Sequence, residues 1–121
     1  MSYFWVAIGG GLGSALRLFI NQQFIFPYGT MFVNICGSFA IGIAFVFLST
    51  RLHSPASLLL MTGLLGGFTT FSAFSLDALK LWQDGNTIFA ILYITASVFF
   101  SILFLVFAVM LARTTLIWMI K

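Results

Sequence analysis

The chain has 121 residues, 62% of them hydrophobic and 6% charged, with a formal net charge of +3. Soluble domains carry about a quarter charged residues, so this composition excludes a soluble globular protein and requires a membrane. The five cations, Arg17, Arg51, Lys80, Arg113 and Lys121, are scattered, and the only acids are Asp77 and Asp84; no basic stripe of the kind a nucleic-acid surface needs is formed.

A membrane helix needs roughly 20 mostly apolar residues, and the chain offers four such runs. The first extends from about Tyr3 to Ile20. No basic segment precedes it, so it reads as a retained span rather than a cleaved leader. It contains GGGLGSALR, in which Gly9 and Gly13 share one helix face and Gly10 and Ser14 share another. Small residues at this spacing let two helix backbones approach closely. Arg17, one turn further, is placed either to snorkel to the interface or to bond loop carbonyls at the helix end. NQQFIFPYG then breaks the run with polar residues, Pro27 and Gly29.

The second run extends from about Thr30 to Thr50, and RLHSP closes it. Asn34, Ser38 and Gly42 recur every four residues, with Gly37 beside them, as one polar or small stripe. An intramembrane Asn serves most often as interhelical glue, although its amide N–H groups also suit an anion. Cys36 is the only cysteine, which leaves no intrachain disulfide and a small hydrophobe in the span.

The third run extends from about Ala56 to Trp82, ahead of the QDGN turn. It carries GGFTTFSAFS, residues 66–75. Gly66 and Gly67 permit the backbone to unwind, and carbonyls freed at that depth need a cation or a hydroxyl as partner. A helix broken in mid-membrane is a recurrent way to build an ion site. Phe71 and Phe74, three apart, fall on one side of the helix that follows. Asp77, a turn beyond, is expected at the mouth of the span with Lys80 at i+3. The fourth run, about Thr87 to Ala112, carries no charge until Arg113 and places Tyr93, Ser97 and Ser101 on one face. That ladder reads as packing or as donors along a pathway.

The loops are short, so any function belongs between helices, and a pathway through one four-helix bundle is cramped. With the first residue on the cytoplasmic side, Arg51, Arg113 and Lys121 face inward while Arg17 and Lys80 face outward. A margin of one cation barely instructs orientation: the ordinary reading is a single, weakly specified orientation, and the other is insertion both ways, with the two orientations pairing as an antiparallel dimer. Paired carboxylates, a metal-type His/Cys cluster and a Ser-His-Asp set are all missing, so enzymatic chemistry is not expected. The polar inventory is donors without acceptor charge, which suits a small, hard anion.

On GGGLGSALR, NICGSF, GGFTTFSAF and Tyr93-x3-Ser97-x3-Ser101, over essentially the whole chain, the sequence resembles the Fluc (CrcB) family of fluoride channels. The resemblance implies an all-α membrane protein with four transmembrane helices, the third broken in mid-membrane, assembled as a dual-topology antiparallel homodimer in the inner (plasma) membrane of a prokaryote. It implies passive, selective export of fluoride, with Asn34, Phe71, Phe74, Tyr93, Ser97 and Ser101 along the ion pathway and Arg17 in a structural role. It also implies a buried Na+ at the dimer centre, held by the backbone carbonyls of Gly66 and Thr69 from both subunits. Two departures are Asp77, where the family often has Glu, and Ala73, where many members have Thr. A small dual-topology exporter of cationic compounds is the alternative, and it lacks the membrane carboxylate that proton exchange would require.

Overall fold

The computed structural model describes residues 1–121. It is all-helical, with α1 over Ser2–Asn21, α2 over Tyr28–Leu48, α3 over residues 55–68, α4 over Phe71–Gln83 and α5 over Thr87–Met119. Four helical stretches are long and apolar enough to cross a membrane, α3 and α4 together forming the third.

Local chemistry sets the boundaries. Ser54 caps α3, its hydroxyl accepting from the Ser57 N–H at 3.2 Å, and Pro55 occupies the first helical position, where its missing N–H costs nothing. α4 ends at Gln83, and Gly85 takes φ +83° while its N–H reaches the Trp82 carbonyl at 3.1 Å. That left-handed residue turns the chain into α5 and is open to glycine at little cost. α5 continues beyond Arg113 to Met119, because RTTLIWM contains no helix breaker.

α3 is unusual within. Leu58–Leu65 is π-helical, and the Gly66 N–H is shared between the Gly63 and Met61 carbonyls. The sequence suggests unwinding at the glycine pair, but Gly66 is helical at φ −64°, ψ −37°. The extended residues are instead Thr69 (φ −81°, ψ 154°) and Thr70 (φ −153°, ψ 125°). One contribution is local: Thr70 caps α4, its hydroxyl accepting from the Ala73 N–H at 3.1 Å, and a capping residue takes non-helical angles.

α1 runs parallel to α3 and all but touches it. A Cβ on Gly9 would strike the Leu59 carbonyl and lie 2.7 Å from the Leu64 nitrogen and 2.9 Å from the Gly63 Cα. Ser14 Oγ donates to the Gly67 carbonyl at 3.5 Å. α2 and α5 form a second parallel pair, joined by Tyr28 against Phe89 and Phe39 against Phe104. Phe74, Leu81, Ala90 and Tyr93 make a small core where α4 meets α5. Only 19 of 121 residues are buried, so most apolar side chains face outward, as a helix bundle dissolved in lipid requires.

The α1–α3 contact is a matter of backbone against backbone, where neither side yields. Gly9→Val is expected to cost at least about 1–3 kcal/mol and to lower the thermal unfolding midpoint of detergent-solubilised protein. Gly11→Ala, with nothing within 4 Å of the new Cβ, is expected to leave that midpoint unchanged.

Candidate functional site

Extended backbone between two apolar helices leaves amide groups that must find partners. Asn34 on α2 supplies them from both ends of its amide. The Thr70 N–H donates to Asn34 Oδ1 at 2.8 Å, and Asn34 Nδ2 donates to the Thr70 carbonyl at 3.0 Å. The N–H donor opposite Oδ1 fixes which way the side chain is turned, since two donors cannot face each other. One N–H of Nδ2 is left over.

The detour has a second effect. The Thr70 N–H would extend α3 by donating to the Gly66 carbonyl, and it goes to Asn34 instead. The Gly66 carbonyl therefore loses its i+4 donor. The Thr69 carbonyl, on extended backbone, meets no donor from the chain, although the Thr69 side chain bonds the Leu65 carbonyl at 3.0 Å. Two main-chain oxygens are thus left free at the interruption.

Beside the interruption lies an open groove of about 360 Å³. Asn34 and Ser38 of α2, Thr69 and Thr70, Phe71 and Phe74 of α4, and Ser97 and Ser101 of α5 line it. The two phenylalanines meet edge to face, 5.5 Å between centroids at 62°. Phe71 is 76% exposed and Phe74 only 7%, so one ring projects and the other forms the floor. No Asp or Glu lines the groove. Ser97 is 97% buried by its 3% exposure, and its Oγ has no hydrogen-bond partner. An orphaned buried hydroxyl costs about 1–3 kcal/mol unless something meets it.

Tyr93 departs from the expected ladder. It does not line the groove with Ser97 and Ser101; it packs beneath Phe74, 5.4 Å between centroids with the rings tilted at 39°, and donates its hydroxyl to Asp77 Oδ2 at 3.3 Å. Asp77 is likewise not paired with Lys80 at an open mouth. It is buried and faces a separate cavity of about 180 Å³ with Asn21 and Thr30. The Lys80 ammonium sits 5.9 Å from the Phe26 ring centroid. The physical reason is a tertiary partner: the Tyr93 hydroxyl of α5 holds the Asp77 carboxylate inward, while the long Lys80 side chain is exposed. Arg17 is half-buried, with an unpartnered Nε.

Thr70 escaped the sequence reading, although a hydroxyl residue opening a helix is an N-cap signal. The Tyr93–Asp77 contact had no local signal, because the pair is 16 residues apart across a turn.

Residues 4–109 match the family model described as CrcB-like protein, Camphor Resistance (CrcB). The chain is 46% identical over 103 residues to a protein of Rhizobium etli (strain CIAT 652), covering 78% of this chain and 82% of that one. It is 43% identical over 116 residues to a protein of Mesorhizobium japonicum, covering 90% and 94%. Similarity to a protein of Granulibacter bethesdensis is 41% over 122 residues, covering 94% and 96%. Each of the three is named a fluoride-specific ion channel FluC.

Removal of the Asn34 amide strands both the N–H and the C=O of Thr70. Asn34→Leu is expected to cost about 2–6 kcal/mol, two unsatisfied groups at about 1–3 kcal/mol each, read as a lower midpoint in thermal unfolding. Ser38→Ala, which removes no bond to the interruption, is the control and should stay near wild type.

Proposed function

The chain belongs to the CrcB-like family, and we propose that it is a fluoride-selective ion channel. It lets fluoride leave the cytoplasm passively and so lowers the toxicity of the ion. It is a multi-pass membrane protein and a channel, not an enzyme.

The observation that carries this reading on the chain's own residues is the groove beside Thr70, which offers donors and no carboxylate. Fluoride is small, hard and strongly hydrated, so a pathway has to replace its water with closely placed partial positive charge. The spare N–H of Asn34, the unpartnered Ser97 hydroxyl and the Ser101 hydroxyl are such groups. Phenyl rings add their electropositive edges, and Phe71 and Phe74 border the groove. Tyr93 acts from beneath, as the ring on which Phe74 rests. The buried carboxylate, Asp77, faces the other cavity, where it does not repel an anion in the groove directly. A cation exporter would need a carboxylate in the groove, so that alternative is not favoured.

The groove is open along one side, and a second copy of the chain is the natural wall for it. We take the assembly to be an antiparallel homodimer in the bacterial inner membrane, with the Thr69–Thr70 interruption in mid-membrane. The three-to-two division of cations and the large outward apolar surface support this assembly. The Gly66 and Thr69 carbonyls suit a hard monovalent cation, since oxygens freed from helical bonding carry no competing donor. Two from each subunit would hold Na+ by coordination rather than by carboxylate charge. When bound, the ion supplies a fixed positive charge that favours an anion nearby. Arg17 keeps a structural place at the end of α1.

The test is fluoride efflux from liposomes containing this protein alone. Downhill efflux without an energy source is expected, and its absence would sink the proposal. Phe74→Ile keeps apolar bulk but removes the ring edge, and efflux should fall by about two- to tenfold, on the scale of ring-edge energies of about 0.5–1.5 kcal/mol. Full efflux from well-folded Phe74→Ile protein would remove the ring from the pathway. Long equilibration in a bulky organic cation without sodium should abolish efflux, and full retention would remove Na+ from the proposal.

A further inference from the structure

Three of the five cations gather at one end of the molecule. α2 and α5 run parallel in a steady register: Tyr28 meets Phe89, Phe39 meets Phe104 and Phe107, and Gly42 abuts Leu105 and Ala108. The same offset carries Arg51, just past the end of α2, to the level of Arg113 on α5. Lys121 follows at the end of α5, with its ammonium 5.5 Å from the centroid of the Trp118 ring. Both acids lie at the opposite end, Asp77 on α4 and Asp84 in the turn to α5, together with Arg17 and Lys80. There the charges cancel, so the side-chain net charge of +3 belongs to the Arg51–Arg113–Lys121 end.

The apolar surface at this end is out of place for water. α5 has 33 residues, about 50 Å at 1.5 Å per residue, against a hydrocarbon core of about 30 Å. Its last turns must therefore leave the core. Yet beyond Arg113 they expose Ile117, Trp118, Met119 and Ile120. An exposed Trp among aliphatic residues, bracketed by cations, matches the boundary between acyl chains and headgroups.

We infer that this end is a docking surface for an anionic phospholipid, with a headgroup carrying phosphate and a net negative charge. Arg51 and Arg113 present guanidinium forks, which match phosphate oxygens in a way ammonium does not. Trp118, Ile117 and Ile120 cover the glycerol and the upper acyl chain. Lys121 adds positive charge at the outer edge. A zwitterionic headgroup offers the same phosphate with a compensating cation, which three basic residues disfavour. The inference does not depend on what the groove conducts.

Native mass spectrometry of the full-length protein in an uncharged detergent reads the preference directly. Phosphatidylglycerol and phosphatidylcholine of identical acyl chains are titrated separately. Wild type should retain phosphatidylglycerol in preference, with salt weakening the preference by screening. Arg51→Gln with Arg113→Gln should weaken phosphatidylglycerol binding by roughly fivefold per cation and leave phosphatidylcholine binding unchanged. Lys80→Gln, at the neutral end, should behave as wild type. All three positions are exposed, and an unchanged unfolding midpoint will verify folding; Lys121→Gln gives a milder second reading, with a single-cation loss. Equal retention of the two lipids by wild type overturns the inference, as does an undiminished preference in the double variant. Displacement of the lipid by excess inorganic phosphate would mark a phosphate-ion site instead and overturn it. So would a double variant that changes oligomeric state while its lipid preference stays intact, because the surface would then be a contact between copies of the chain.

Discussion

The exchange of hydrogen bonds between the Asn34 amide and the Thr70 backbone is the interaction on which the rest of the site depends. Main-chain groups in lipid cannot fall back on water, so an interrupted helix survives only where protein supplies the missing partners. One primary amide does so here, with acceptor and donor both engaged. The Thr70 hydroxyl then starts α4 through Ala73. This arrangement separates the end of α3 from the start of α4 and turns Phe71 and Phe74 towards the groove.

The same exchange sets the electrostatics. Diverting the Thr70 N–H leaves the Gly66 carbonyl without its helical donor, and the extended Thr69 leaves a second oxygen free. The groove beside the interruption holds donors: an amide N–H, hydroxyls and ring edges. The free carbonyls and the start of the phenylalanine-bearing helix thus arise from one backbone detour. The phenylalanine pair is supported from below by Tyr93, which Asp77 in turn anchors.

The frame that holds these groups is built from close backbone contact. α1 and α3 approach until no Cβ fits at Gly9, which leaves little freedom in how α3 leads to the interruption. α2 and α5 form the other half and carry Asn34 on one helix and Ser97 with Ser101 on the other. The outward faces are apolar almost throughout, so the molecule has little internal core. The uneven distribution of charge then distinguishes its two ends, one basic and one neutral, although the orientation signal from basic residues alone is slight.

Hydropathy determined the membrane class and the four spans, because twenty-residue apolar runs and Pro, Gly and polar breakers are properties of contiguous sequence. Spacing was enough to put Asn34 with Ser38, Phe71 with Phe74, and Ser97 with Ser101 on common faces, since a helix repeats every 3.6 residues. The small-residue face of α1 was legible for the same reason. The tertiary structure decided what local pattern does not encode. Unwinding fell on Thr69 and Thr70 rather than on the glycines, because the hydrogen-bond partner at Asn34, 36 residues away, favours extended backbone there. Tyr93 left its serine ladder for the space beneath Phe74, and Asp77 turned inward to meet it, because side-chain direction across a helix–turn–helix follows from how two helices pack. A periodicity says which residues share a face; only packing says what that face meets.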